Sequence, residues 1–229
     1  MSLRIGDVIG GALNNVFTEH AWKLSLVGMV FFLLVHLSLA ATPGVEATTN
    51  ITDFISNPSS IAVIAGLFAF FIIYAIGTLR TLHSRECRLE HFTGRLGITA
   101  LHTVIGGLVV AIAIAAGAAL FVIPGIILLV SLYLWSAHVI IDDETFLEAF
   151  KETWQETQGN RWFILCVILL AYLISFGITV LLQATVGFLL LLSSPSLLFT
   201  LTLIAYYVQV YLGLFEAAVL VETYEQLTT

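Results

Sequence analysis

The sequence predicts an all-α integral membrane protein with six transmembrane helices and additional amphipathic helices at the membrane interface. The chain has 229 residues, of which 59% are hydrophobic and only 10% are charged, whereas a soluble domain is about 25% charged. The apolar residues occur in long continuous runs, and a spanning helix needs roughly 20 of them. All eight lysine and arginine residues fall on one side of a six-span topology, as the positive-inside rule expects.

The same composition excludes several classes of protein. The charged side chains are too few to cover a soluble globule of this size, which excludes an ordinary soluble enzyme and a disordered regulator. A net charge of −7 leaves no basic face for nucleic acid. Two cysteines are too few for a disulfide framework or a cysteine-rich metal site. We expect one membrane domain over residues 1–229, with no nucleic-acid partner and no cofactor.

Residues 1–20 are expected to form an amphipathic helix before the first span. Val8, Ala12 and Val16 recur at helical spacing, and polar residues such as Asp7 occupy the other side. Such a helix lies on the membrane face with its apolar side toward lipid.

The apolar runs are predicted to be helices because unpaired backbone groups are not tolerated in lipid. As one helix, residues 101–141 would be about 60 Å long at about 1.5 Å per residue, so we expect a hairpin that turns at Pro124-Gly125. The run that starts at residue 162 continues to 192, so we expect a break near residues 183–187, after which 186–192 follows the interface or begins the sixth helix. The predicted spans are 22–41, 61–79, 101–123, 126–141, 162–182 and 197–221.

The basic residues set the orientation of the spans. With six spans, both termini and the loops 80–100 and 142–161 share the basic side, which predicts a multi-pass protein of the cell membrane with both termini cytoplasmic. The outer loops 42–60 and 183–196 carry no basic residue. Asn50 begins an Asn-Ile-Thr glycosylation sequon in the first of these outer loops, although a chance match is the alternative.

The loop of residues 80–100 is rich in arginine. These side chains could contact anionic lipid headgroups, and the alternative is that they are solvated and only set the topology. The four residues are Arg80, Arg85, Arg88 and Arg95.

The sequence of residues 142–161 predicts a second amphipathic helix at the interface, with its apolar side against lipid or against the rest of the bundle. Thr145 and Glu148 have the spacing of a capping box, which starts a helix. Glu148, Glu152 and Glu156 follow at four-residue spacing and form an acidic stripe. Such a row could bind a divalent cation, but a solvated helix face is the commoner arrangement, and we assign no metal site.

A series of short motifs runs through the second half of the chain: Phe121-Val-Ile-Pro-Gly-Ile-Ile, Ile140-Ile-Asp-Asp-Glu, Glu148-Ala-Phe-Lys-Glu-Thr-Trp and Gly159-Asn-Arg-Trp162. The series resembles the membrane-domain family named after glycerophosphoryl diester phosphodiesterase, with its related six-span bacterial and archaeal proteins. In fused members of that family the activity belongs to a separate catalytic barrel, which needs about 250 residues. The resemblance therefore implies a membrane module without an active site. The acidic surplus would suit a salt-adapted archaeon.

Ionisable residues within the spans are the default functional candidates. His102, His138 and Glu216 all fall toward the cytoplasmic side, so we expect that the three could cluster. Such a cluster could relay protons, bind a metal or hold a headgroup. The alternative is that these side chains snorkel to the interface or form hydrogen bonds between helices.

Small residues recur every four positions in the third span and predict close helix packing. The partner is expected to be the fourth span, folded back at Pro124 and Gly125, or another protomer. The row consists of Gly107, Ala111, Ala115 and Ala119.

No nucleophile, metalloprotease or phosphate-loop motif is present in the sequence. We therefore expect a non-catalytic membrane module, namely a scaffold, a lipid-organising protein or a partner subunit. Its expected partners are membrane lipids and either a second copy of this chain or another membrane protein. A small transporter or channel is one alternative. A lipid-modifying enzyme with a cytoplasmic-side site is the other.

Overall fold

The computed structural model describes residues 4–41, 58–190 and 195–228. These residues form helices and no strand, which confirms the all-α class. The helices are α1 (Ile5–Val16), α2 (Glu19–Ala41), α3 (Pro58–Ser84), α4 (Glu90–Thr93), α5 (Leu96–Leu120), α6 (Val122–Ser131), α7 (Trp135–Ile141), α8 (Phe146–Glu156), α9 (Arg161–Leu190) and α10 (Pro195–Thr228). The sequon at Asn50 lies outside the described residues.

Five described segments are long and apolar enough to cross a membrane, which is the pattern of a multi-pass membrane protein. Large apolar side chains on them face outward: Phe68 is 55% exposed, Leu108 62% and Leu181 70%. Contiguous apolar surface of this kind is costly in water and natural against lipid. The segments are Ile61–Ser84, Leu96–Ala119, Val122–Ile141, Arg161–Leu189 and Leu203–Thr228.

Helix α1 packs on the protein, whereas the sequence predicted that its apolar side would face lipid. Val8 and Ala12 are fully buried in the main apolar core, which also contains Leu214 and Ala218 of α10. The Asn15 side chain donates a hydrogen bond to a carbonyl of α3, 3.4 Å away. The amphipathic pattern is therefore satisfied by a neighbouring helix, because α10 presents a matching apolar face.

The predicted hairpin is present, and its turn lies three residues before Pro124. Phe121 is extended between α5 and α6, and Pro124 occupies the first turn of α6, where a missing N–H has no cost. A Cβ on Gly125 would lie 2.9 Å from the Ala118 Cα, so only glycine permits this close approach of α5 and α6. Gly117 faces the same contact, because a Cβ there would lie 3.1 Å from the Gly125 nitrogen.

The predicted small-residue row does not make that contact. Gly107 lies beside the Trp135 ring, with its Cβ position 3.7 Å away, but Ala111, Ala115 and Ala119 are exposed. Their exposure therefore gives no support for the fourth span as the partner of these three alanines, and that pairing stays a prediction. A second protomer, the other predicted partner, stays a prediction.

The expected break near residues 183–187 is wrong, because α9 is continuous from Arg161 to Leu190. The segment contains no proline, and the Thr185 hydroxyl donates to the Leu181 carbonyl at 2.8 Å, so its polar group is satisfied within the helix. Helix α10 also continues beyond the predicted end at residue 221, to Thr228. These extra turns bring the C-terminal residues into the polar region described next.

Candidate functional site

Charged side chains collect at one end of the bundle, which we call the polar end. It is formed by the C-terminal ends of α3, α7 and α10, together with α4 and α8. Two contacts join α10 to its neighbours here: His83 of α3 lies 3.1 Å from a carboxylate oxygen of Glu225 on α10, and the Tyr224 hydroxyl donates to Asp142 Oδ2, which follows α7, at 2.6 Å.

His138 is the centre of a carboxylate cluster at the polar end. Its side chain is 2% exposed, and Nε2 lies 2.9 Å from Glu156 Oε2 on α8. On the opposite side of the ring, Nδ1 lies 3.2 Å from Asp142 Oδ2. The same nitrogen lies 3.8 Å from Glu144 Oε2 and 3.7 Å from Glu152 Oε2. One buried imidazole is thus surrounded by carboxylates.

Local sequence explains how these side chains meet. His138 and Asp142 are four residues apart at the end of α7 and share a face. The chain then reverses into α8, whose start is fixed by the capping box of Thr145 and Glu148. Glu152 and Glu156 follow at four-residue spacing and therefore point back toward the imidazole.

The cluster carries more negative charge than the described residues compensate. Burial raises the pKa of Glu144 to about 7, and Glu152 contributes to the same rise through a hydrogen bond and through charge repulsion. Burial also acts to raise the pKa of Asp142, but the close contact with His138 and the hydrogen bond from Tyr224 outweigh it and hold that pKa below its ordinary value. Among the described residues, no lysine or arginine forms an ion pair with these carboxylates.

Arg80, a predicted headgroup contact, is engaged inside the protein. Its guanidinium donates to the backbone carbonyls of Ile140, at 2.9 Å, and Gly94, at 2.7 Å. It also forms an ion pair with Asp143 Oδ1 at 2.6 Å and a hydrogen bond to Thr99 at 3.2 Å. The side chain is only 12% exposed, so it joins α3, α5 and the end of α7.

The other three arginines remain at the surface. The side chain of Arg85 is 64% exposed, that of Arg88 61% and that of Arg95 74%. They pair with acidic groups on the protein: Arg88 with Glu86 at 2.6 Å, and Arg85 with two glutamates of α10 at 3.8 and 3.6 Å. Headgroup contact stays a prediction for these three.

His102, His138 and Glu216, predicted to cluster, lie in three different environments. His102 Nδ1 accepts a hydrogen bond from the Phe146 N–H at 3.0 Å, which satisfies the first residue of α8. His138 lies in the carboxylate cluster. Glu216 lies eight residues before Tyr224 on α10, about 12 Å deeper along the helix at about 1.5 Å per residue.

Glu216 lines a cavity of about 440 Å³ between α2, α3, α9 and α10. Its walls are apolar and aromatic and include Phe31, Tyr74 and Tyr133; among the described lining residues, Glu216 is the one that carries a charge. The carboxylate forms no hydrogen bond or ion pair with the described part of the chain. Phe71 is 53% exposed and Tyr172 58% exposed, and because both line the cavity, it opens sideways between α3 and α9.

Sequence reasoning missed Asp142, Glu144 and Tyr224 as members of a site. The His138–Asp142 spacing and the acidic stripe were available signals. Only Glu152 and Glu156 of that stripe reach the imidazole, because Glu148 turns back to cap α8. Tyr224 gave no local signal, since it meets Asp142 across 82 residues of sequence.

The comparisons with known proteins identify a family without an assigned role. A family model described as "Domain of unknown function (DUF7847)" matches residues 3–227, so the chain belongs to this family. No curated protein and no solved structure matches the chain significantly.

Proposed function

We propose that this DUF7847 protein is a non-catalytic module of the cell membrane that holds a lipid in the cavity beside Glu216. In this proposal α2 is a span together with the five apolar segments, which gives six spans and places both termini and the polar end in the cytoplasm. The protein would act as a lipid-organising subunit or scaffold.

The observation that carries the proposal is a carboxylate that has no partner among the described residues and that lies in an apolar cavity open to the side. A volume of about 440 Å³ falls within the roughly 300–1,000 Å³ typical of ligand sites. A carboxylate at this depth is costly in lipid unless it has a partner. A lipid whose polar group donates hydrogen bonds or is cationic would supply that partner, and its chain would lie against the aromatic walls.

The family resemblance supports a non-catalytic role. We propose that the chain is related to the membrane domains named after glycerophosphoryl diester phosphodiesterase, in which catalysis belongs to a separate barrel. The enzyme alternative uses His102 and His138 with acidic neighbours. The hydrogen bond that His102 Nδ1 accepts from the first N–H of α8 supports a structural role for that histidine instead.

Filling the cavity tests the proposal. Gly213 lines the cavity, and a Cβ there meets no atom within 4 Å, so Gly213→Leu occupies the space without a backbone clash. Gly177→Leu is the matched control, because Gly177 also has no atom within 4 Å of its Cβ position and does not line the cavity. Lipids retained by each purified protein are counted by native mass spectrometry.

We expect the wild-type protein and Gly177→Leu to retain a bound lipid that Gly213→Leu loses. Glu216→Gln should weaken retention of lipids with amine or hydroxyl headgroups at least about tenfold, because hydrogen bonds to a charged group contribute about 1.5–3 kcal/mol. Equal lipid retention by both leucine variants would rule out lipid holding in this cavity.

A further inference from the structure

We propose that His138, Asp142, Glu144 and Glu152 form a binding site for one divalent transition-metal ion, of the Zn²⁺ or Mn²⁺ type, at the polar end. This inference is independent of lipid binding in the cavity. It rests on the positions of the four side chains, on a buried imidazole nitrogen that faces carboxylates without a well-aligned hydrogen bond to any described residue, and on the charge of the cluster.

Three of the four proposed ligands have donor-atom spacings that suit a single ion, and Glu152 lies close enough to His138 to serve as the fourth. His138, Asp142 and Glu144 offer ligand atoms that all lie within 4.8 Å of one another. The distances from His138 Nδ1 to the carboxylate oxygens of Asp142, Glu152 and Glu144 are 3.2, 3.7 and 3.8 Å. Ligands about 2.0–2.2 Å from one tetrahedral ion lie about 3.4 Å apart, so small side-chain movements would complete the site.

The imidazole is oriented as a ligand. Nε2 faces Glu156 at 2.9 Å, and when it donates its N–H there, Nδ1 presents a lone pair to the other carboxylates. The His138 side chain is 2% exposed. Its Nδ1 faces the Asp142 carboxylate without a well-aligned hydrogen bond, and the buried Oε2 of Glu144 has no hydrogen-bond partner among the described residues. A ligating histidine usually donates its other N–H to a carboxylate, which is the role of Glu156.

The charge of the cluster favours a divalent cation. Four carboxylates, those of Asp142, Glu144, Glu152 and Glu156, surround one imidazole, and no lysine or arginine among the described residues pairs with them. A proton on His138 would offset one of four negative charges. A divalent ion would offset two and would leave the imidazole neutral, as ligation requires.

The donor set selects the class of ion. One imidazole nitrogen with carboxylate oxygens suits Zn²⁺ or Mn²⁺ better than Mg²⁺ or Ca²⁺, which prefer oxygen ligands throughout. Glu152 is 50% exposed and gives the ion a path from solvent. Tyr224 holds Asp142 through its 2.6 Å hydrogen bond, so a bound ion would fasten α8 and α10 to the end of α7.

Metal titration of the full chain tests the site. The protein is reconstituted in lipid nanodiscs after chelator treatment. Zn²⁺ binding is then measured by calorimetry, Mn²⁺ binding by electron paramagnetic resonance, and the unfolding midpoint with and without each ion. Glu152→Gln removes one ligand at a half-exposed position. Glu148→Gln is the matched control on α8, because glutamine also serves at that place in a capping box.

We expect one ion per chain, a metal-dependent rise in the unfolding midpoint, and affinity reduced at least about tenfold in Glu152→Gln but unchanged in Glu148→Gln. Asp142→Asn, tested in parallel, should show the same loss as Glu152→Gln. A midpoint without metal that matches the wild type establishes that Glu152→Gln folds. A cooperative unfolding transition without metal establishes it for Asp142→Asn, which also weakens the hydrogen bond from Tyr224. The site is refuted if the wild type binds neither ion stoichiometrically, because protons would then be the cations that neutralise the carboxylates. It is also refuted if all variants bind the ion with equal affinity.

Discussion

The Tyr224 hydroxyl donates a 2.6 Å hydrogen bond to Asp142 Oδ2 and thereby joins the last turns of α10 to the end of α7. The same tyrosine ring packs edge-on against His138, with ring centroids 5.1 Å apart. The two contacts place the C-terminal part of the chain within the carboxylate cluster and make that cluster depend on long-range packing.

Replacing Tyr224 with phenylalanine should therefore destabilise the polar end. Tyr224→Phe keeps the ring contact with His138 but removes a hydrogen bond to a charged group, so we expect a loss of about 1.5–3 kcal/mol in the free energy of unfolding. Denaturant unfolding in detergent measures this change. Tyr207→Phe is the control, since among the described residues that hydroxyl donates to the neutral Tyr211 hydroxyl at 3.3 Å. We expect a smaller loss in the control, and equal losses in the two variants would contradict the role of Tyr224.

Arg80 should not tolerate lysine. Its guanidinium uses several N–H groups in different directions, toward the Ile140 and Gly94 carbonyls, Thr99 and Asp143, and an ammonium group cannot reproduce that geometry. We expect Arg80→Lys to lower the unfolding midpoint, with a loss of about 1.5–3 kcal/mol. Arg88 is exposed and supplies the comparison, so Arg88→Lys should leave the unfolding midpoint unchanged. Similar midpoints for the two variants would mean that Arg80 does not hold α3, α5 and the end of α7 together.

The α5–α6 contact should require glycine at position 125. Gly125→Ala places a Cβ 2.9 Å from the Ala118 Cα, and overpacking of this kind costs about 1–3 kcal/mol. In Gly66→Ala, on α3, the new Cβ meets no atom within 4 Å, so that variant should be unchanged or more stable because alanine favours helix. Thermal unfolding of both proteins compares them, and an unaffected Gly125→Ala would show that the hairpin is packed more loosely.

The proposed topology predicts which residues are reachable from outside the cell. In a background of Cys87→Ser and Cys166→Ser, Asn50→Cys should react with a membrane-impermeant thiol reagent on intact cells. Gln226→Cys, near the end of α10, should react only after the membrane is opened. Labelling of Gln226→Cys on intact cells would reverse the assignment of the polar end to the cytoplasm.

The apolar runs and the hairpin could be predicted from the sequence because they depend on local composition. The run ending at residue 123 and the break before residue 126 follow from helix length and from Pro124. The continuity of α9 through Gln183 could not be predicted from length alone, because a helix longer than the bilayer can tilt or extend beyond it.

The candidate sites depended on contacts between distant residues. The acidic stripe on α8 was visible in the sequence, but its division between capping by Glu148 and the cluster around His138 follows from how α7 and α8 are joined. The cavity at Glu216 is formed by α2, α3, α9 and α10 together. A local sequence pattern cannot predict a cavity of this kind, because its walls come from distant parts of the chain. Helix α1 similarly showed its apolar stripe but not the surface that covers it.

The most direct test of the central proposal is an experimental structure of the wild-type chain in lipid nanodiscs. We predict lipid density between α3 and α9 that enters the cavity, with a polar group within hydrogen-bonding distance of the Glu216 carboxylate. A cavity closed by protein side chains, with Glu216 paired to a neighbouring helix, would contradict the proposal.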